Sequence, residues 1–195
     1  MTTSRLEAFS DAVLAIAITI MVLDLRPPTE PTWSGLLSTL PIFLSYVLSF
    51  VYLGIYWNNH HHMLQLAGTV NGGILWANLH LLFWLSLIPF TTRWMDETGF
   101  VQVPVMLYGI NLLFSAIAYF VLQRAFISHQ GTEGPLAKAL GRDWKGKLSP
   151  LIYVAGLALA LVLPALGLLA YTVVALIWLV PDRRLERYTR ALDGS

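Results

Sequence analysis

The chain has 195 residues, 56% of them hydrophobic and only 12% charged, with a mean hydropathy of +0.65. Soluble domains carry about 25% charged residues, so this chain has too few charges to cover a water-exposed surface and too much apolar content to be disordered; its main solvent is lipid. The absence of cysteine excludes disulfides, thiolate metal sites and cysteine nucleophiles, and a net charge of +1 argues against nucleic acid as a partner.

A helix needs about 20 mostly apolar residues to cross a bilayer. The first such stretch covers residues 6–25 and is stopped by Pro27 and Pro28. Its start is not a secretory signal, because Arg5 is outweighed by Glu7 and Asp11. The next three spans cover 36–57, 72–90 and 101–123. A polar, glycine-rich loop follows, with room for a short surface helix around 136–140. The apolar run 148–180 is too long for one span, and Pro164 and Gly167 divide it into a hairpin of two short helices, 150–163 and 165–180. One long kinked helix is the alternative and would leave five spans. Residues 188–195 read as a frayed tail.

The basic residues discriminate between the two counts. Six spans with the N-terminus inside place Arg5, Arg124, Lys138, Arg142, Lys145, Lys147, Arg183, Arg184, Arg187 and Arg190 on the cytoplasmic side, against only Arg26 and Arg93 outside. Five spans would expel the C-terminal arginines. The expected fold is therefore all-α: a polytopic membrane protein with six transmembrane helices in one domain over 1–195, both termini cytoplasmic, in the cell membrane.

The first span carries three ionisable residues in its opening turns: Arg5, Glu7 and Asp11. Charges in a membrane helix are costly and face protein or water. Arg5 and Glu7 fit an interfacial pair, whereas Asp11 lies deeper and needs a partner in the bundle. At about 100° per residue, Ile16, Thr19, Ile20 and Leu23 fall in one arc, extended toward the start of the helix by Ala12 and Phe9. Asp11 points well away from that arc. Taken alone, such an apolar face is the ordinary pattern of packing or lipid contact, with a pore wall as the sharper reading.

Other residues have plain readings beside functional ones. His60-His61-His62 invites a metal, but neighbouring histidines point to different faces of a helix and only His80 and His129 remain elsewhere; interfacial polar residues with one structural His60 is the simpler account, and pH sensing a further one. Trp57, Trp76, Trp84, Trp94 and Trp178 fit an aromatic belt or packing better than a ligand cage. Asp24 would either form an acidic ring at a pore mouth or pair with Arg26. The C-terminal arginines are the positive flank, with lipid headgroups as possible contacts.

The stretch Arg5-x-x-x-Phe9-Ser10-Asp11, opening the first membrane helix of a six-span chain, resembles the signature of the lysosomal TMEM-type potassium channels and their bacterial relatives. Trp57-Asn58-Asn59-His60 resembles that family's Trp-x-x-His element, and Asn78-Leu79 with Phe83 and then Pro89-Phe90-Thr91 its third-span pattern. Spans one to three carry the likeness; four to six match in length and order. The resemblance implies a single-repeat bacterial form that assembles as a homotetramer, with the pore lined by the first helices. Like the family, the chain lacks the Thr-Val-Gly-Tyr-Gly filter. The family's ring of bulky apolar side chains maps onto Ile16, Ile20 or Thr19, and Leu23, the arc already found from helical geometry. Arg5, Phe9, Ser10 and Asp11 would form a structural network, in which Arg5, Ser10 and Asp11 pair with His60 and Asn78 to fix the first helix.

These readings lead to a potassium-permeable cation channel with a hydrophobic constriction that gates by dewetting, Thr19 or the apolar rings setting selectivity. Its partners would be other copies of the chain, membrane lipids and monovalent cations, with K+ as the permeating ion and no cofactor or metal. The alternative is a proton-coupled or cation transporter using Asp11 and His60, for which broken helices and inverted repeats would be the signs; neither is visible in the sequence. A non-transporting scaffold is the third reading. Enzyme activity has no nucleophile, cofactor motif or metal set to support it.

Overall fold

The structure is a computed structural model that describes residues 3–131, 133–140 and 144–179. Arg142, the C-terminal arginines and the tail 188–195 lie outside the described residues, as does the last residue of the expected sixth span. Helices α1 (Thr3–Leu23), α2 (Trp33–Ser38), α3 (Leu40–Gln65), α4 (Gly72–Ser86), α5 (Ile88–Glu97), α6 (Gln102–Gln130), α7 (Pro135–Leu140), α8 (Trp144–Val162) and α9 (Pro164–Leu179) follow in chain order, with no strand among the described residues. Five spans (α1, α3, α4 with α5, α6 and α8) are long and apolar enough to cross a membrane; α9 is apolar but shorter. The protein is an all-helical, polytopic membrane protein.

The short surface helix α7 forms where the loop offers it. The 148–180 run is a hairpin of two helices, with the break at Leu163 and Pro164 opening α9, where a missing N–H costs nothing. The single long helix is thus excluded. Helix α8 nevertheless begins at Trp144 and takes Pro150 into its interior, rather than starting at 150. Only the bond that Pro150 would have donated to Gly146 is lost.

Further boundaries move, the end of the fourth span among them: α6 runs on to Gln130 rather than stopping at 123. Residues 36–38 belong to α2, which is capped by the Thr32 hydroxyl accepting from Gly35 N at 3.0 Å. The second span opens only at Leu40, with Pro41 in its first turn, and runs on to Gln65. Nothing between Trp57 and Gln65 breaks a helix, so the three histidines lie on α3 and not in a loop. The third span reaches Glu97 instead of ending at 90, with one interruption at Leu87, two residues before Pro89. Leu87 keeps near-helical angles (φ −86°, ψ −11°), so this is a proline-induced interruption and not an unwound segment.

Helix α1 packs against α3, α4 and α5; α6 bridges α4 and α5 to the α8–α9 hairpin. The hairpin closes on small residues. A Cβ on Gly167 would lie 2.7 Å from the Ala160 Cβ, and one on Gly156 2.7 Å from Tyr171 Cε1. Without a driving force from water, such close backbone approach is what holds membrane helices together. Tyr52, Tyr108, Tyr153 and Tyr171 are fully buried where α3, α6, α8 and α9 meet. Tyr52 donates to the Tyr171 carbonyl, Tyr153 donates to the Tyr52 hydroxyl at 3.3 Å, and the Tyr108 hydroxyl meets Ser49 at 3.0 Å.

Candidate pore-lining face and its buried support

Helix α1 has two unlike sides. Leu6, Ser10, Leu14, Ala17 and Met21, spaced at three and four residues, are buried against the bundle. On the other side Ile16 is 58% exposed, Ile20 47% and Leu23 81%, with Phe9 and Thr19 also exposed. Within one chain, then, the arc Ile16–Thr19–Ile20–Leu23 is a largely apolar face that the bundle leaves uncovered. Thr19 is its one polar side chain. The Thr19 hydroxyl donates back to its own helix, 2.9 Å from the Ala15 carbonyl and 3.0 Å from that of Ile16. Its proton is spent there, which turns the oxygen lone pairs outward. Beside this face Phe90 is also exposed, and with Pro89 it lines the same groove as Ile16 and Ile20, so the apolar surface continues from α1 onto α5.

Behind that face sits a buried polar chain. The Ser10 hydroxyl donates to the Leu6 carbonyl at 2.8 Å and accepts from Asn78 Nδ2 at 3.0 Å. Asn78 Oδ1 lies 2.7 Å from His60 Nε2. Ser10, Asn78 and His60 are all buried. The directions are forced: Ser10 has used its proton, so Asn78 must present its amide to it, and its carbonyl oxygen then requires a proton on His60 Nε2. The chain links α1, α4 and α3 at one point.

Asp11 does not join it. Its Oδ1 accepts from Trp57 Nε1 at 3.1 Å. The reason is angular: Asp11 is about 100° round the helix from Ser10, so if Ser10 faces Asn78, Asp11 faces sideways along α3. Glu7 likewise pairs with His61 Nδ1 at 2.6 Å and not with Arg5, and Gln65 Nε2 meets the other nitrogen of that ring at 2.9 Å. Arg5 is exposed, with no hydrogen bond or ion pair among the described residues. Phe9 is exposed beside the open arc. Sequence reasoning missed Glu7, Trp57 and His61 as a set, yet a signal existed. Glu7 and Asp11 are four apart on α1, as are Trp57 and His61 on α3, and the pairs 7–61 and 11–57 are in antiparallel register.

The three adjacent histidines diverge. His60 turns inward to Asn78 and His61 toward Glu7, and no group of three metal-ligating side chains assembles among the described residues. His80 accepts from Trp84 Nε1 at 3.0 Å, and His129 is bonded to Thr69 at 2.9 Å. The tryptophans are likewise dispersed: Trp84 stacks on Phe114, Trp94 on Phe90, and Trp178 donates to Ser149. Asp11 and His60, the pair a carrier would need together, have separate partners.

At the far end of α1 Asp24 accepts from Arg93 Nη1 at 3.1 Å; Arg93 also bonds Glu97 at 3.0 Å, and Arg26 reaches Glu97 at 3.3 Å. Asp24 and Arg26 therefore do not pair directly. Each has its own partner on α5 instead, and the Arg93–Glu97 bond joins the two pairs. Arg93 and Glu97 stand one helical turn apart, the spacing at which such side chains meet.

The sequence profile of the family described as endosomal/lysosomal potassium channel TMEM175 matches residues 5–89, the part containing α1, α3, α4 and the Ser10–Asn78–His60 chain. A potassium channel of Chryseobacterium sp. (strain P1-3) is 52% identical over 96% of this chain and 97% of its own length. A potassium channel of Streptomyces collinus is 32% identical over 59% of this chain and 60% of its own. Among solved structures, the crystal structure of a lysosomal potassium-selective channel TMEM175 homolog from Chamaesiphon minutus superposes with a TM-score of 0.79 at 28% identity, covering 92% of this chain and 97% of that one.

Proposed function

Because the chain belongs to the TMEM175 family of potassium channels, we propose that it is a potassium-permeable channel in which four copies surround an axis and the first helices line the pore. The observation that carries this reading is the uncovered arc of Ile16, Thr19, Ile20 and Leu23, backed on the opposite side by buried Leu6, Ser10, Leu14, Ala17 and Met21. Thr19 places an oxygen with outward lone pairs in the middle of that arc. The exposed Phe83 and Phe90 would receive the neighbouring copy.

Four Ile16 side chains around an axis form a ring too apolar to hold a water column, and such a ring gates by dewetting. Small rotation or splay of α1 opens it. Thr19, one turn away, replaces part of the ion's hydration shell. No Thr-Val-Gly-Tyr-Gly filter is involved. The whole chain acts as one six-helix channel domain, with both termini cytoplasmic in the cell membrane, as the basic residues require. It needs no cofactor, carries out no enzymatic step, and K+ is the ion that passes.

The test is cation flux into proteoliposomes holding the purified chain under a potassium gradient. Rapid K+ flux exceeding Na+ flux is expected. Flux that saturates at low ion concentration without unitary currents would instead identify a carrier.

A further inference from the structure

Helix α1 is bonded to the rest of the bundle only near its two ends. Close to its start three side chains reach other helices: Glu7 to His61, Ser10 to Asn78 and Asp11 to Trp57. Just past its last turn Asp24 accepts from Arg93 of α5. Between these points, from Ala12 to Leu23, no α1 side chain makes a hydrogen bond or ion pair to another element among the described residues, and Thr19 bonds only its own helix. Leu14, Ala17 and Met21 hold that stretch by apolar packing alone, which is not directional and, in lipid, has no driving force from water.

The two attachments differ in kind. Ser10 and Asn78 are fully buried, so neither water nor salt competes for their bond. The far end rests on charges at the surface. Arg93 and Glu97 are half-exposed and Arg26 is exposed. An open crevice of about 680 Å³, with Leu23 and Ile42 in its walls, runs beside Asp24, Arg26, Arg93 and Glu97, so dissolved ions reach all four. Asp96 lines the same crevice and bonds Ser45 on α3, with no ion pair to either arginine. Three carboxyl groups then face two guanidinium groups, and the acidic excess draws in cations that compete for Asp24. Exposed ion pairs hold weakly and loosen as salt rises.

We infer that α1 is a lever pivoted at Ser10 and held back against α5 by a salt-sensitive latch at Arg93. Its free movement leads away from α5, since Ala17 and Met21 are already buried against the bundle on the other side. A tilt of about 10° at Ser10 moves Val22, about 18 Å away, by about 3 Å, and Ile16 by half as much. The lever rests on the fold alone; its effect on conduction rests on the pore reading.

The chain contains no cysteine, so introduced cysteine pairs carry spin labels whose separation is read by double electron–electron resonance, with labelled chains diluted in unlabelled ones. The pair Val22→Cys, Val103→Cys reads the far end against α6, and Ala8→Cys, Val121→Cys the near end; all four positions are exposed. In the otherwise unaltered chain the far-end distance should lengthen by about 3 Å between about 0.1 M and 1 M NaCl, as the Debye length falls from ~10 to ~3 Å, while the near-end distance holds. Arg93→Gln should show the longer distance already at the lower salt and respond no further. A far-end distance indifferent to salt or to Arg93→Gln, or a near-end distance that moves as far, would overturn the lever. In liposomes Arg93→Gln should lower K+ flux about threefold, because α1 then leans toward the axis and narrows the Ile16 ring. Unchanged flux beside a lengthened distance would leave the lever standing and tell against the pore reading.

Discussion

The front of the bundle, α1 with α3 and α4, and its back, the α8–α9 hairpin against α6, are held by different physics. At the front, single directional bonds decide position: Ser10 to Asn78 to His60, Asp11 to Trp57, Glu7 to His61. At the back, shape decides: Gly156, Ala160 and Gly167 let two helices touch, and the Tyr171 ring lies over Gly109. The difference teaches where each half tolerates change. A hydrogen-bonded joint survives small changes of volume but not loss of a partner. A small-residue seam survives loss of polarity but not added atoms.

The comparison can be broken most severely at the seam. Gly167→Leu should cost about 3 kcal/mol or more by overpacking Ala160, read as a large fall in melting temperature of the detergent-purified protein; a variant melting like wild type would mean the hairpin is not close-packed. Next comes the joint. Asn78→Leu leaves Ser10 and His60 without their buried partner at about 2 kcal/mol, again by thermal melt, and Asn78→Gln should not restore it, since the longer side chain cannot hold both bonds at once. Ile16→Asn touches neither device: stability should hold while K+ leak rises about tenfold, some 1.4 kcal/mol of barrier, and selectivity over Na+ weakens in liposome flux. Wild-type conduction in that variant would remove Ile16 from the constriction. Smallest is Asp11→Ala, a half-exposed bond to Trp57 worth about 0.5–1 kcal/mol. It should lower the melting point slightly and leave selectivity alone; loss of assembly would mean that Asp11 does more than hold Trp57.

The six apolar helices were legible because hydropathy measures the solvent, and the proline and glycine at 164 and 167 marked the hairpin. Their ends were less so. Pro150 reads as a start, yet lies inside α8 because the lost bond is a single one. Trp57 reads as an end, yet α3 continues through polar residues that do not oppose a helix. At the site, helical geometry found the arc on α1, since about 100° per residue is enough to know which side chains share a side. The resemblance, and not the geometry, put Ser10 with Asn78 and His60. It assigned Asp11 to the wrong neighbour, because adjacent positions on a helix point in different directions and the partner depends on how α1 and α3 are registered. Asp24 and Arg26 show the same limit: closeness along the chain suggested a pair as one of two readings, and the fold takes both residues to α5, to Arg93 and Glu97.

Pinning Ser10 to Asn78 also sets a phase. Ile16 stands between Ala15 and Ala17, so turning the helix by the angle of one residue, about 100°, would bring a methyl group to the place of a butyl one. The first helix is then a cam whose lobe is isoleucine and whose low side is alanine, and the buried Ser10–Asn78 bond is the key that locks it to its shaft. A one-residue insertion just after Asp11 would keep the Ser10–Asn78 bond and turn the lobe away, but it would also turn Leu14, Ala17 and Met21 out of the core.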